Sequence, residues 1–133
     1  MNKSLLKQIQ GLPPTQQQEF IGLIEEYESA INRKKCEDSF MHFVGEMWAA
    51  FIHGKHHEIM AEAFERVAKG ELKRLIINMP PRHTKSEFAS YLLPAWFLGN
   101  YPDKKVIQTA HTAELAVGFG RKVRNLVNSK DFK

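Results

Sequence analysis

The residues best suited to chemistry in this 133-residue chain lie in one stretch, 75–86, which reads LIINMPPRHTKS. Arg82, His83, Thr84, Lys85 and Ser86 follow a pair of prolines, and their types are those that hold phosphate. A lysine ammonium neutralises phosphate oxygens, an arginine guanidinium matches them with a planar fork, and a serine hydroxyl can ligate Mg²⁺. Backbone N–H groups of such a loop, at a helix N-terminus, can surround the same anion. The candidate binding set is therefore Pro81, Arg82, His83, Thr84, Lys85 and Ser86, with Ser86 as the metal ligand. The pattern G-x-x-x-x-G-K-[ST] is kept only at its end, because Met79 and Thr84 stand at the two glycine positions. Threonine before the lysine keeps the N–H but adds a stiff, branched side chain where glycine would leave room for phosphate. The same residues also read as an ordinary strand–turn–helix connection that contains Lys-Ser.

The elements around this loop follow from hydrophobic spacing. Leu75, Ile76 and Ile77 predict a short strand buried on both faces of a parallel sheet, ended by Pro80 and Pro81. Phe88, Ala89, Leu92, Leu93, Trp96 and Phe97 mark the next helix, kinked or broken at Pro94. A turn at 99–102 leads to a second strand over 106–110. Thr112 then caps a helix through about Val127, with Glu114 in its first turn. Two strands separated by a helix make a right-handed parallel unit, which is the first part of a doubly wound α/β domain.

Upstream the chain is helical. Thr15 with Gln18 fits a capping box, and Phe20, Leu23, Ile24, Tyr27 and Ile31 recur at helical spacing as far as the basic run 33–35. The aromatic-rich stretch 40–52 is helix-like, with Gly45 inside it and Gly54 as its stop. Ile59, Met60, Ala63, Phe64 and Val67 predict another helix that ends at Gly70. His53, His56 and His57 lie close together in sequence, yet no second Cys, His or carboxylate cluster completes them at zinc spacing.

The net charge of +4 is unevenly placed. Residues 1–100 hold twelve basic and twelve acidic residues, whereas 101–133 hold seven basic against Asp103, Glu114 and Asp131. A basic end beside a phosphate loop suits a polyanionic partner, and it equally suits a solvated helix face. Cys36 is the single cysteine, which excludes an intrachain disulfide and fits a reducing compartment. The N-terminal apolar run is too short for a secretory signal, and no stretch is long enough to span a bilayer, so a soluble intracellular chain is expected.

The segments GELKRLIINMPPRHTKSEFASYLLPAWFLG and KKVIQTAHTAELAVGFGRKVRNLVNS resemble the N-terminal ATPase region of large terminase subunits of tailed bacteriophages, from roughly Phe40 onward. That resemblance implies an α/β fold, the N-terminal part of a P-loop NTPase, preceded by a helical segment. It divides the chain into a helical segment, 1–36, and an incomplete ATPase domain, 37–133. It implies ATP and Mg²⁺ as cofactors, and ATP hydrolysis coupled to packaging of double-stranded DNA into a capsid. Lys85 would hold the β- and γ-phosphates, Ser86 the Mg²⁺, and Arg82 would act catalytically on the γ-phosphate; His56 matches a histidine at the start of the preceding helix. The implied partners are double-stranded DNA, a portal protein and a small terminase subunit, in a homo-oligomeric ring within the host bacterial cytoplasm and transiently at the procapsid. The departures from the family are Thr84 and the lack of any apolar run ending in Asp after Ser86. No nuclease acid cluster follows, so the chain is expected to be a fragment, inactive alone. The alternatives are a helicase-like P-loop fragment and a non-catalytic module that binds DNA or a partner.

Overall fold

Five α-helices and one π-helical turn make up the regular structure of residues 13–129 and Phe132, the residues described by a computed structural model. The chain divides into two units, Met1–Lys35 and Cys36–Lys133. Helix α1 (Pro14–Asp38) opens on proline, whose fixed φ and missing N–H suit a first helical turn. It runs past the boundary between the units and buries none of its residues. Its apolar stripe is in solvent, with Phe20, Leu23, Tyr27 and Ile31 between 38% and 68% exposed. No helix among the described residues is long and apolar enough to cross a membrane.

In the second unit Ser39 caps α2 (Phe40–Met47) by accepting the His42 N–H at 3.3 Å. The Phe40 N–H, free at that helix start, donates to Glu65 Oε1 at 2.8 Å. Helix α3 (Lys55–Ala68) begins at an extended Gly54 and is followed by Gly70 at φ +78, the left-handed stop that glycine adopts at low cost. A π-helical turn (Glu87–Leu92) runs directly into α4 (Leu93–Asn100). Helix α5 (Ala113–Val127) is capped by Thr112, whose hydroxyl accepts the Leu115 N–H at 3.3 Å, as its sequence predicts.

Pro94 explains the π turn. It cannot donate to the carbonyl four residues back, and its ring crowds that turn. The chain responds with a wider turn, in which the Leu93 N–H reaches Phe88. The carbonyl of Ser90, which Pro94 cannot satisfy, accepts from Gln108 Nε2 at 2.6 Å. One side chain from a distant segment thus replaces a lost helical hydrogen bond.

The core is centred on Phe40, which is fully buried. Its ring meets Phe64, Phe88 and Trp96 edge-on, at centroid distances of 5.6, 5.6 and 5.5 Å. Edge-to-face contacts of this kind add about 0.5–1.5 kcal/mol beyond the area they bury. Val44, Met60, Leu92, Ala95 and Val123 complete the packing. Trp96 satisfies its indole N–H on the Cys36 carbonyl at 2.7 Å. Burial, with Glu46 and Glu37 nearby, raises the Cys36 thiol above its ordinary pKa and keeps it protonated.

The expected α/β architecture is not found. The segments 75–77 and 106–110 have no regular secondary structure, and no sheet occurs among the described residues. A strand is defined by its ladder of N–H···O=C bonds to a neighbour. Among the described residues, no backbone–backbone hydrogen bond involves 73–79 or 105–110. Instead of being buried on both faces, Leu75 is 37%, Ile76 85% and Ile107 89% exposed. The apolar run expected to be a buried strand is therefore neither a strand nor buried on both faces. The fold class is all-helical, and the P-loop NTPase fold, with the terminase ATPase reading built on it, is overturned.

Candidate functional site

The 80–86 loop follows the 75–77 segment and enters the helix that carries the π turn. Its first helical hydrogen bond runs from the Phe88 N–H to the Thr84 carbonyl at 2.9 Å, which makes Thr84 the entry residue of that helix. Two of its non-glycine residues hold left-handed backbone angles, Arg82 at φ +64 and Thr84 at φ +58. Such a conformation costs roughly 1–3 kcal/mol per residue, and a branched side chain makes it less favourable still. Something must hold it in place.

The holding group is His57, which is buried in the third position of α3. Its Nδ1 accepts the Gly54 N–H at 3.0 Å, so the ring proton sits on Nε2. Nε2–H donates to Thr84 Oγ1 at 2.6 Å, and the Thr84 hydroxyl donates onward to the His83 carbonyl at 2.7 Å. Phe51 and Phe88 pack on the imidazole, with centroids at 4.8 and 4.9 Å. Burial first, then the neighbouring His56 and His53, lower the His57 pKa and favour the neutral ring. His83 turns its own Nδ1–H onto the Pro81 carbonyl at 2.9 Å, which tightens the loop further.

This wiring decides what the loop can do. His57 Nε2 carries a proton and donates it, so the ring cannot serve as a base toward Thr84, and the threonine hydroxyl is not an activated nucleophile. What remains is a cationic surface. Pro81, Arg82, His83 and Ser86 are exposed, while Thr84 and Lys85 are half-buried. No backbone carbonyl among the described residues accepts from the N–H groups of Arg82, Lys85 or Ser86. Free N–H groups beside a guanidinium and an ammonium suit an anion.

The other candidates fall elsewhere. His56 is exposed, lies tilted against His57 with centroids 3.8 Å apart and meets the His83 ring of the loop edge-on at 6.1 Å, while the adjacent His57 hydrogen-bonds to Thr84. His53 turns away to Glu58 at 3.5 Å. Glu87 accepts from Lys122 Nζ at 3.0 Å, tying α5 to the π turn. Among the described residues no three His, Cys, Asp or Glu side chains are grouped to hold a metal ion. Sequence reading missed the His57–Thr84 bond, since the two residues are 27 positions apart. The one available signal was a histidine on the apolar side of α3, in register with Met60, Ala61 and Phe64.

Stability should fall with acid because of His57. Below the usual imidazole value of 6.5 the unfolded chain takes up a proton that the folded unit resists. The stabilisation is complete above that pH and is lost as pH falls through the lowered folded pKa. Melting of the second unit should therefore drop as pH is lowered from neutral through 6.5, more steeply than in His57→Leu. Equal slopes in the two proteins would remove His57 from the account.

Compared with known proteins, the chain matches no family model, no curated protein and no solved structure at a significant level. Together with the absence of a sheet among the described residues, this withdraws the assignment to large terminase subunits.

Proposed function

We propose that the chain is a non-enzymatic binding module that holds phosphate groups at residues 81–86. The carrying observation is the left-handed Arg82 and Thr84, fixed by a buried histidine and so offering Arg82, Lys85 and free N–H groups together. Strain kept in place by a dedicated buried bond marks a surface whose shape matters. The phosphates fit a double-stranded DNA backbone, since the chain's whole charge excess lies in residues 101–133. ATP with Mg²⁺ carries the same chemistry in small form, and Ser86 would be its hydroxyl ligand. No hydrolysis is expected, because the loop holds neither a base nor a carboxylate to activate water.

The test is fluorescence anisotropy with a labelled duplex of about 20 base pairs over a range of salt. Affinity should fall with salt, and Mg²⁺–ATP should displace the duplex if the loop is the shared site. Displacement by ATP with weak duplex binding would assign the loop to small phosphates. Binding that is independent of salt, or ATP turnover that Lys85→Ala abolishes, would overturn the proposal.

A further inference from the structure

The segments 75–77 and 106–110 border a single cleft. A cavity of about 430 Å³ lies against Leu75 and Ile77, and another of about 680 Å³ lies against 105–111. Both share Val67, Ser86, Ala89, Ser90 and Leu93, so they are continuous over one floor that is apolar at Val67, Ala89 and Leu93 and meets the 81–86 loop at Ser86. Among the described residues, 73–79 on one side and 105–110 on the other make no backbone–backbone hydrogen bond. Unsatisfied N–H and C=O groups therefore stand at both borders of a groove with an apolar base.

Side chains in the first segment alternate as they would in a strand. Ile77 and Met79 pack against the helical core, while Ile76 is 85% exposed. Ile107 in the second segment is 89% exposed. Period-two alternation with open backbone is the form that accepts an added strand. The charge of the cleft narrows the occupant. Lys73, Lys85, Lys105 and His111 line it, and among the described residues no Asp or Glu does.

We infer that this cleft binds an extended, apolar peptide segment that carries carboxylates, supplied by a partner polypeptide. The segment lies between 73–79 and 105–110 and pairs its backbone with both. Its alternate apolar side chains sit on Ala89 and Leu93, and its carboxylates meet the lysines at the rim. The partner's remaining surface covers Ile76 and Ile107. A second copy of this chain fits less well, because its own two segments bring further lysines to a basic groove.

The probe is an acetylated and amidated peptide of about eight residues, alternating valine with glutamate and threonine. The readout is amide hydrogen exchange of the whole chain with and without peptide. Exchange should slow in both segments together, by about tenfold or more at saturation. A lysine-for-glutamate peptide should bind about tenfold more weakly, and a proline-interrupted one should give no protection. Ile107→Pro removes one N–H donor at an exposed position and should halve the protected set without unfolding the helices. Protection of one segment only, equal binding of the lysine peptide, or protection that grows with protein concentration in the absence of peptide would overturn the inference.

Discussion

Phe40→Ala is expected to unfold the second unit under conditions where the parent is folded. The side chain is fully buried and its ring contacts Phe43, Phe64, Phe88 and Trp96. Truncating a phenylalanine in such a place costs about 3–5 kcal/mol in lost burial and residual cavity. A whole domain is stable by only about 5–15 kcal/mol, and this one has a small core with no sheet among the described residues to share the loss. Phe40 also opens α2, so its displacement disturbs the Ser39 cap and the bond to Glu65. Near-ultraviolet circular dichroism with urea titration should show the loss of a cooperative transition. Phe97→Ala, at a half-buried position, should retain one. A Phe40→Ala transition within about 1 kcal/mol of the parent would mean that the core is not organised around this ring.

Arg82→Ala with Lys85→Ala should abolish most phosphate binding. Each residue supplies one cation to the loop, and charge-assisted hydrogen bonds to phosphate are worth about 1.5–3 kcal/mol each. The pair together should weaken duplex binding by about a hundredfold or more at low salt. The slope of log affinity against log salt should fall by about 1.8, at roughly 0.9 per phosphate contact. Arg82→Lys should keep part of the affinity, since charge remains while the planar fork is lost. His57→Leu offers a separate check. It leaves both cations in place but frees Thr84 from its left-handed conformation, so any weakening it causes comes from lost shape. Unchanged affinity in the double variant would transfer the site elsewhere, with Arg121 and Arg124 of α5 the first places to look.

The helices were legible because their signals are local. Thr112 before an apolar period, glycine at 70 and the apolar face of α3 each act within a few residues, through capping, left-handed φ and side-chain spacing. Pro94 was legible as a disturbance of its helix, which continues through it by way of the π turn, but the repair by Gln108 was not, since that bond joins residues 18 apart. The failed part was pairing. Leu75, Ile76 and Ile77 carry strand propensity, yet propensity describes how a residue fits a pleated surface and supplies no neighbour. A fold inferred from two such runs therefore placed a sheet where the described residues hold two unpaired segments. At the loop, residue types were readable and conformation was not. A branched threonine argues against left-handed backbone, and only the imidazole of His57, buried between Phe51 and Phe88, overrides it.

The most direct measurement is titration of inorganic tripolyphosphate into the ¹⁵N-labelled chain, followed by amide chemical shifts with phosphate release assayed in the same samples. The account predicts that the largest shifts fall on Arg82, Lys85 and Ser86, that they saturate together, and that no phosphate is released above the buffer rate. Shifts confined to α5, or release of phosphate that depends on Lys85, would contradict it.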